Sequence, residues 1–182
     1  MTKTIETTTW HDFHTIIFDF DGVFTNNLVY VGEDMKEFVS CNRSDGLGIK
    51  MLKNYAKKNN WQLDIFILST EENPVVKARA NKLNINCFQG ISNKYKFIRD
   101  YFKKNFNENN LSKVIYLGND LNDLEIMNKV GLSIAPKDAH PLVIKLADFV
   151  INKDGGDAFV REVVELIINL NKMSFTEIVD LI

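Results

Sequence analysis

The sequence predicts an α/β fold, a doubly wound parallel sheet, and three observations carry that expectation. Short β-branched and aromatic runs alternate with apolar positions at helical spacing through most of the 182 residues. The connections between them are short. Several of the apolar runs end in Asp, Gly, Ser or Asn, where a buried strand stops at a turn.

Along the chain, Thr15-Ile16-Ile17-Phe18-Asp19-Phe20 is a buried strand that stops at Asp21-Gly22. Residues 28–31 and 36–40 flank Gly32-Glu33-Asp34 and predict a β-hairpin directly after it. Ile49, Leu52 and Ala56 predict a helix over 46–59, and Asp64–Leu68 is a second buried strand. Asn73 is suited to cap a helix whose first residue is Pro74, with Val75, Ala78 and Leu83 as its apolar stripe. A short strand at Cys87 and Phe88 precedes a helix over 93–104, with Tyr95, Ile98 and Phe102 on one face. A strand over 114–117 ends at Gly118-Asn119-Asp120. Helix 121–129, strand 132–135, helix Pro141–Leu146 and strand Phe149–Ile151 continue the alternation, and a longer helix covers 158–170. Ser174 and Glu177 have capping-box spacing ahead of an apolar C-terminus. No repeat or Gly/Ser-rich linker divides the chain. One domain over 1–182 is expected, with a core over about 14–170 and a helical tail over 171–182.

Composition narrows the function classes. With 45% hydrophobic and 25% charged residues the chain is long enough to bury a core. The balance of 22 Lys+Arg against 24 Asp+Glu leaves no basic excess for nucleic acid. No apolar run reaches the roughly 20 residues a bilayer demands, so no membrane span is expected. The Thr-rich start lacks the order of a signal peptide, which points to the cytoplasm. Cys41 and Cys87 stand far apart with no CxxC neighbourhood, and read as reduced thiols.

Three predicted strand ends finish in acid, amide or hydroxyl residues: Asp19 and Asp21, then Ser69 and Thr70, then Asn119, Asp120 and Asp123. A parallel sheet brings such ends to one edge. Clustered carboxylates repel unless a cation sits between them, and a hard, oxygen-seeking metal such as magnesium suits that place. Lys94, at a helix start in the same half, adds a positive charge, and the set fits an anionic phosphate substrate. Asp19 and Asp21 are one residue apart, which on a strand puts them on opposite faces. Gly22 is therefore expected to open a turn that returns Asp21 to the site.

Asp19-Phe20-Asp21-Gly22-Val23-Phe24-Thr25, then Ser69, Lys94 and Gly118-Asn119-Asp120-Leu121-Asn122-Asp123, resemble the four ordered motifs of the haloacid dehalogenase superfamily. The resemblance spans about residues 14–165. With only a hairpin and a helix between the first two motifs, it points to the branch without a cap domain, whose members form tetramers. Within it, Arg43-Ser44-Asp45-Gly46, the stretch Ala135 to Pro141 and Gly155-Gly156-Asp157 are similar to sugar-acid phosphatases.

The resemblance implies an aspartyl-phosphate on Asp19, with Asp21 as general acid and then base. It gives magnesium to Asp19, the Asp21 carbonyl and either Asn119 or Asp120, since relatives carry Asp where this chain has Asn119. Asp123 stands behind them. Ser69 and Lys94 would hold the transferring phosphoryl group, and Thr25, Thr70, Glu71, Arg79 and Lys82 are the candidates for binding substrate. Octulosonate phosphatases tend to read Thr-Gly-Arg where this chain reads Ser69-Thr70-Glu71, whereas enzymes of nine-carbon acids resemble it in Glu71, Arg79 and Lys82. The expectation is a homotetrameric, magnesium-dependent phosphatase of a 2-keto-3-deoxy sugar-acid phosphate, preferably a nononate or neuraminate 9-phosphate. The alternatives are a 3-deoxy-octulosonate 8-phosphate phosphatase and an idle tetrameric scaffold beside a sialic-acid cytidylyltransferase.

Overall fold

The computed structural model describes residues 8–107 and 110–182. Its main sheet has six parallel strands: β1 (Thr15–Phe18), β4 (Asp64–Leu68), β5 (Asn86–Phe88), β6 (Leu111–Leu117), β7 (Val130–Pro136) and β8 (Phe149–Ile151). Their order is β5-β4-β1-β6-β7-β8. β1 is central, flanked in register by β4 (Ile17 beside Phe66) and β6 (Ile17 beside Tyr116). Chain order steps outward in both directions from β1, so loops leaving its carboxyl end open at the switch point of the sheet.

Period-two alternation within the buried strands fills two cores. Ile16, Phe18, Ile65, Ile67, Ile115 and Leu117 face one layer, with α1 (Arg43–Lys58), α2 (Pro74–Leu83) and α6 (Phe159–Ile167) packed over it. Ile17, Phe66, Leu68, Val114 and Tyr116 face the other, under α3 (Lys94–Phe106), α4 (Leu124–Met127) and α5 (Pro141–Leu146). Each fully buried Phe contributes about 1.5–3 kcal/mol of transfer free energy, and Phe18, Phe20, Phe24 and Phe66 all reach that state.

Local signals in the sequence match the helix ends. Asn73 Oδ1 accepts from the Val75 amide with Pro74 in the first turn of α2. Ser174 and Glu177 form the reciprocal capping box of α7 (Phe175–Leu181). Helix α1 starts at Arg43, three residues before the expected position, because Asn42 caps it. Gly46 and Gly48 lie inside that helix as contact points. A Cβ on Gly48 would stand 3.2 Å from the Arg161 Cα, so glycine lets α1 and α6 approach. The expected helix over 121–129 is a 3-10 turn (Leu121–Asp123) leading into the four-residue α4. The helix expected over 158–170 ends at Ile167.

The hairpin is present and slight: β2 (Tyr30–Val31) pairs antiparallel with β3 (Glu37–Phe38). The core also reaches past its expected bounds of 14 and 170. Trp10 and Phe13 are buried, and Leu181 of α7 is 2% exposed. Helix α7 is held on α1 by Asn54 Nδ2 donating to the Leu181 carbonyl at 3.0 Å and by a Lys58–Asp180 ion pair at 3.1 Å. The tail is thus part of the packed body. Residues 1–7 of the Thr-rich start lie outside the described residues, and no helix among the described residues is long and apolar enough to cross a membrane.

Candidate active site

Strand β1 ends at Phe18, and the chain then turns sharply. The amides of Val23, Phe24 and Thr25 all converge on the Phe20 carbonyl at 2.9–3.3 Å, and Gly22 has φ +75°. That left-handed backbone suits glycine. The turn brings Asp19 and Asp21 into one cleft of about 240 Å³, as the strand-and-turn argument requires. Thr70, Glu71 and Asn73 from the loop after β4 also line it, with Asn119, Asp120 and Asn122 from the loop after β6. The hairpin adds Val29 and Glu37.

Beneath the cleft lies a buried ionic array. Lys94, with a side chain 1% exposed, reaches Asp19 Oδ1 at 2.8 Å and Asp123 Oδ1 at 2.7 Å. Asp123 is saturated: Tyr116 OH donates to Oδ1 at 2.6 Å, and the Asn119 and Asp120 amides donate to Oδ2 at 2.9 and 3.2 Å. Asp123 thereby fixes both the lysine and the loop after β6. Burial would pull Lys94 down, but the two carboxylates outweigh it and hold it protonated above its ordinary value. Burial, reinforced by Asp123 and opposed by Lys94, pushes the Asp19 carboxyl up to about 8. Asp21 is also raised, by burial first and the Glu71 charge second.

Asn119 and Asp120 differ in how their side chains are used. Asp120 Oδ1 accepts from the Leu121 amide at 2.7 Å, and its residue is exposed as the cap of the 3-10 turn. Asn119 is 7% exposed, and its Oδ1 is a buried acceptor with no donor. Its side chain presses on Gly22, where any Cβ would overlap it. A buried oxygen without a donor costs about 1–3 kcal/mol, which a cation would relieve. No three His, Cys, Asp or Glu side chains form a metal-binding group among the described residues. Asp19, Asp21 and Asn119 share the cleft, and the carboxylate, backbone carbonyl and amide oxygens they carry are a mixed set. That set fits magnesium, which is bound through one or two carboxylates and keeps waters or substrate oxygens in its other positions.

Other expected residues stand apart from the cleft. Ser69 is 1% exposed, and its Oγ accepts from the Glu71 amide at 3.0 Å, fixing that loop. Thr25 is fully buried beneath the turn, where its Oγ1 accepts from the Gly22 and Asn27 amides. Its position is that of a support and gives no access to substrate. Arg79 and Lys82 do not join Glu71. They line a separate cleft of about 520 Å³ between α1 and α2, with Arg43, Lys50 and Lys53. Arg79 Nη2 donates to the Asn42 carbonyl at 2.7 Å. Glu71 precedes the helix, so helical spacing does not relate it to Arg79. Tyr116, Glu37 and Asn73 escaped the sequence reading. Tyr116 sits in an apolar strand run, and the other two read as hairpin and cap.

Comparison with known proteins gives one answer. The family described as haloacid dehalogenase-like hydrolase matches residues 3–163. The 3-deoxy-D-manno-octulosonate 8-phosphate phosphatase of Salmonella typhi is 38% identical over 156 residues, 84% of this chain and 78% of that protein. The solved phosphatase of that name from Yersinia pestis superposes with TM-score 0.77 at 33% identity, covering 88% of this chain and 83% of the other. The Moraxella catarrhalis phosphatase, solved with magnesium, phosphate and its sugar acid, gives TM-score 0.78 at 27% identity, covering 88% of each chain. The parallel sheet, the cleft at its switch point and these likenesses agree: the chain belongs to the haloacid dehalogenase-like hydrolases and is a phosphomonoester hydrolase of that family.

Proposed function

We propose that the protein is a magnesium-dependent phosphatase that hydrolyses a 2-keto-3-deoxy sugar-acid phosphate through a phosphoryl group carried on Asp19. The observation that carries this reading is the buried Lys94 between Asp19 and Asp123, beside the unpartnered Asn119 Oδ1. In the first step an Asp19 carboxylate oxygen bonds to phosphorus, the ester P–O bond breaks, and Asp21 gives its proton to the leaving sugar oxygen. In the second, Asp21 takes a proton from water as the water oxygen bonds to phosphorus and the Asp19–phosphorus bond breaks, releasing phosphate. The raised Asp21 carboxyl is in the direction a general acid needs. Lys94 offsets charge on Asp19 and on the phosphoryl oxygens, and Thr70, on the loop that the buried Ser69 fixes, offers a hydroxyl from the cleft wall. Magnesium held by Asp19, the Asp21 carbonyl and Asn119 would supply charge neutralisation for the phosphoryl group.

Among substrates, 3-deoxy-octulosonate 8-phosphate comes first, supported by the names of the relatives. A nine-carbon 9-phosphate is the second reading, favoured by Glu71 in the cleft wall. Phosphate release from both, with magnesium and with EDTA, tests the proposal: turnover of a sugar-acid phosphate only with the metal supports it, and metal-independent or absent turnover refutes it. We further infer a homotetramer, because the hairpin exposes Tyr30, Val31 and Phe38 beside a cleft that has no cap.

A further inference from the structure

The hairpin meets the body of the protein at Glu37. Glu37 Oε2 accepts from Asn73 Nδ2 at 2.8 Å, and both residues line the cleft that holds Asp19 and Asp21. Asn73 has one usable orientation, because its Oδ1 accepts from the Val75 amide at the start of α2. A helix cap therefore aims the Asn73 donor at Glu37. The two-residue strands of the hairpin could not fix that carboxylate by themselves. The second oxygen, Oε1, is left for another donor.

The chemistry of the cleft wall indicates which donor. No Lys or Arg lines it among the described residues; Glu37 and Glu71 share it with Asn27, Asn73 and Asn122. Such a wall repels a second anion close to the ester and favours neutral O–H donors. Glu37 is also close enough to Asp21 to add to its raised carboxyl, after burial and Glu71. Glu37 and Asp21 line the same cleft, so a group bonded to Glu37 shares it with the oxygen that Asp21 protonates.

We propose that Glu37 is a specificity-determining residue, which, held by Asn73, accepts a hydrogen bond from the leaving-group hydroxyl next to the phosphoester. This rests on the phosphatase reading above and adds to it a polyol requirement. In 3-deoxy-octulosonate 8-phosphate the hydroxyl is on the carbon adjoining the ester. Phenyl phosphate has none.

The test compares kcat/KM for these two esters, with magnesium, in the wild type, Glu37→Ala and Glu37→Gln. The ratio of sugar-acid phosphate to phenyl phosphate is expected to fall at least tenfold in Glu37→Ala, roughly the loss of one hydrogen bond to a charged group. The change should appear mainly in KM, because the bond forms in the ground state as well as the transition state. Glu37→Gln, which keeps an acceptor oxygen, should recover part of the ratio. Thermal melting establishes that each variant is folded. A ratio within twofold of wild type in Glu37→Ala overturns the proposal, since equal losses on both esters mean that Glu37 supports the fold or Asp21. Wild-type turnover of phenyl phosphate alone also overturns it, and with it the octulosonate substrate, while leaving magnesium-dependent phosphoryl transfer through Asp19 intact. Turnover of neither ester removes both.

Discussion

Gly22 and Asn119 meet so closely that a Cβ on Gly22 would overlap the Asn119 amide. Gly22 also has φ +75°. The turn after β1 and the loop after β6 therefore lock together through the absence of a side chain. Gly22→Ala should destabilise the protein by about 1–3 kcal/mol, from left-handed strain plus the clash, and should lower magnesium affinity by displacing Asn119 Oδ1. Urea unfolding and magnesium titration check both. Unchanged affinity would remove Asn119 from the metal site.

Lys94 neutralises two buried carboxylates, which predicts a pH-dependent cost for its loss. In EDTA, Lys94→Met should destabilise the protein by about 3–5 kcal/mol at pH 8, because Asp19 and Asp123 are left with uncompensated charge. The loss should shrink toward pH 5 as Asp19, whose carboxyl burial pushes up to about 8, takes up a proton. Denaturant unfolding at both pH values measures it. A loss below about 1 kcal/mol at pH 8 would mean that the array is not ionised as described.

Asp45 gives a pH effect remote from the catalytic cleft. It is fully buried, Oδ1 accepts from the Arg161 amide at 3.0 Å, and Oδ2 has no donor. Burial raises its carboxyl from 3.8 to about 6 in the folded chain. The folded state then holds a proton that the unfolded state has lost between about pH 4 and 6. Stability attributable to Asp45 is greatest below that window and falls as pH rises through it. Relative to Asp45→Asn, the wild type should lose up to about 3 kcal/mol between pH 4 and pH 8. Parallel unfolding curves for the two proteins across that range would contradict the buried, raised carboxyl.

The hairpin leaves Tyr30, Val31 and Phe38 on its two-residue strands, and Met35 in the turn between them, more than half exposed. Association through hairpins would cover them. Light scattering should give a homotetramer for the wild type and a smaller species for a Val31→Lys, Phe38→Lys variant. A wild-type monomer with full activity would refute this assembly.

Much of the arrangement was legible because it depends on local rules. The alternation of buried strands with capped helices set the topology, and the turn at Gly22 followed from needing two carboxylates on one side. The remainder depends on tertiary partners. Asn119 and Asp120 are adjacent and chemically similar, and only the capping of the 3-10 turn by Asp120 leaves the Asn119 oxygen open. Arg79 and Lys82 sit on α2, whereas Glu71 sits ahead of its cap, and only the packing of α2 beside α1 shows that the basic pair lines a different cleft from Glu71. Gly46 and Gly48 fall in the helix expected over 46–59, and only their neighbours Leu83 and Arg161 show why glycine fits there. Glu37 gains its place from a hydrogen bond spanning 36 residues of sequence.

The central claim is that phosphate passes through Asp19, and trapping tests it most directly. The enzyme is mixed with magnesium and 3-deoxy-octulosonate 8-phosphate, quenched in acid within the first turnover, digested, and its peptides are weighed. The peptide containing Asp19 should gain the mass of one phosphoryl group. The adduct and steady-state phosphate release should both be absent from folded Asp19→Asn, with turnover down by several orders of magnitude. Near-normal phosphate release by Asp19→Asn, or a phosphoryl group on another peptide, would contradict the account.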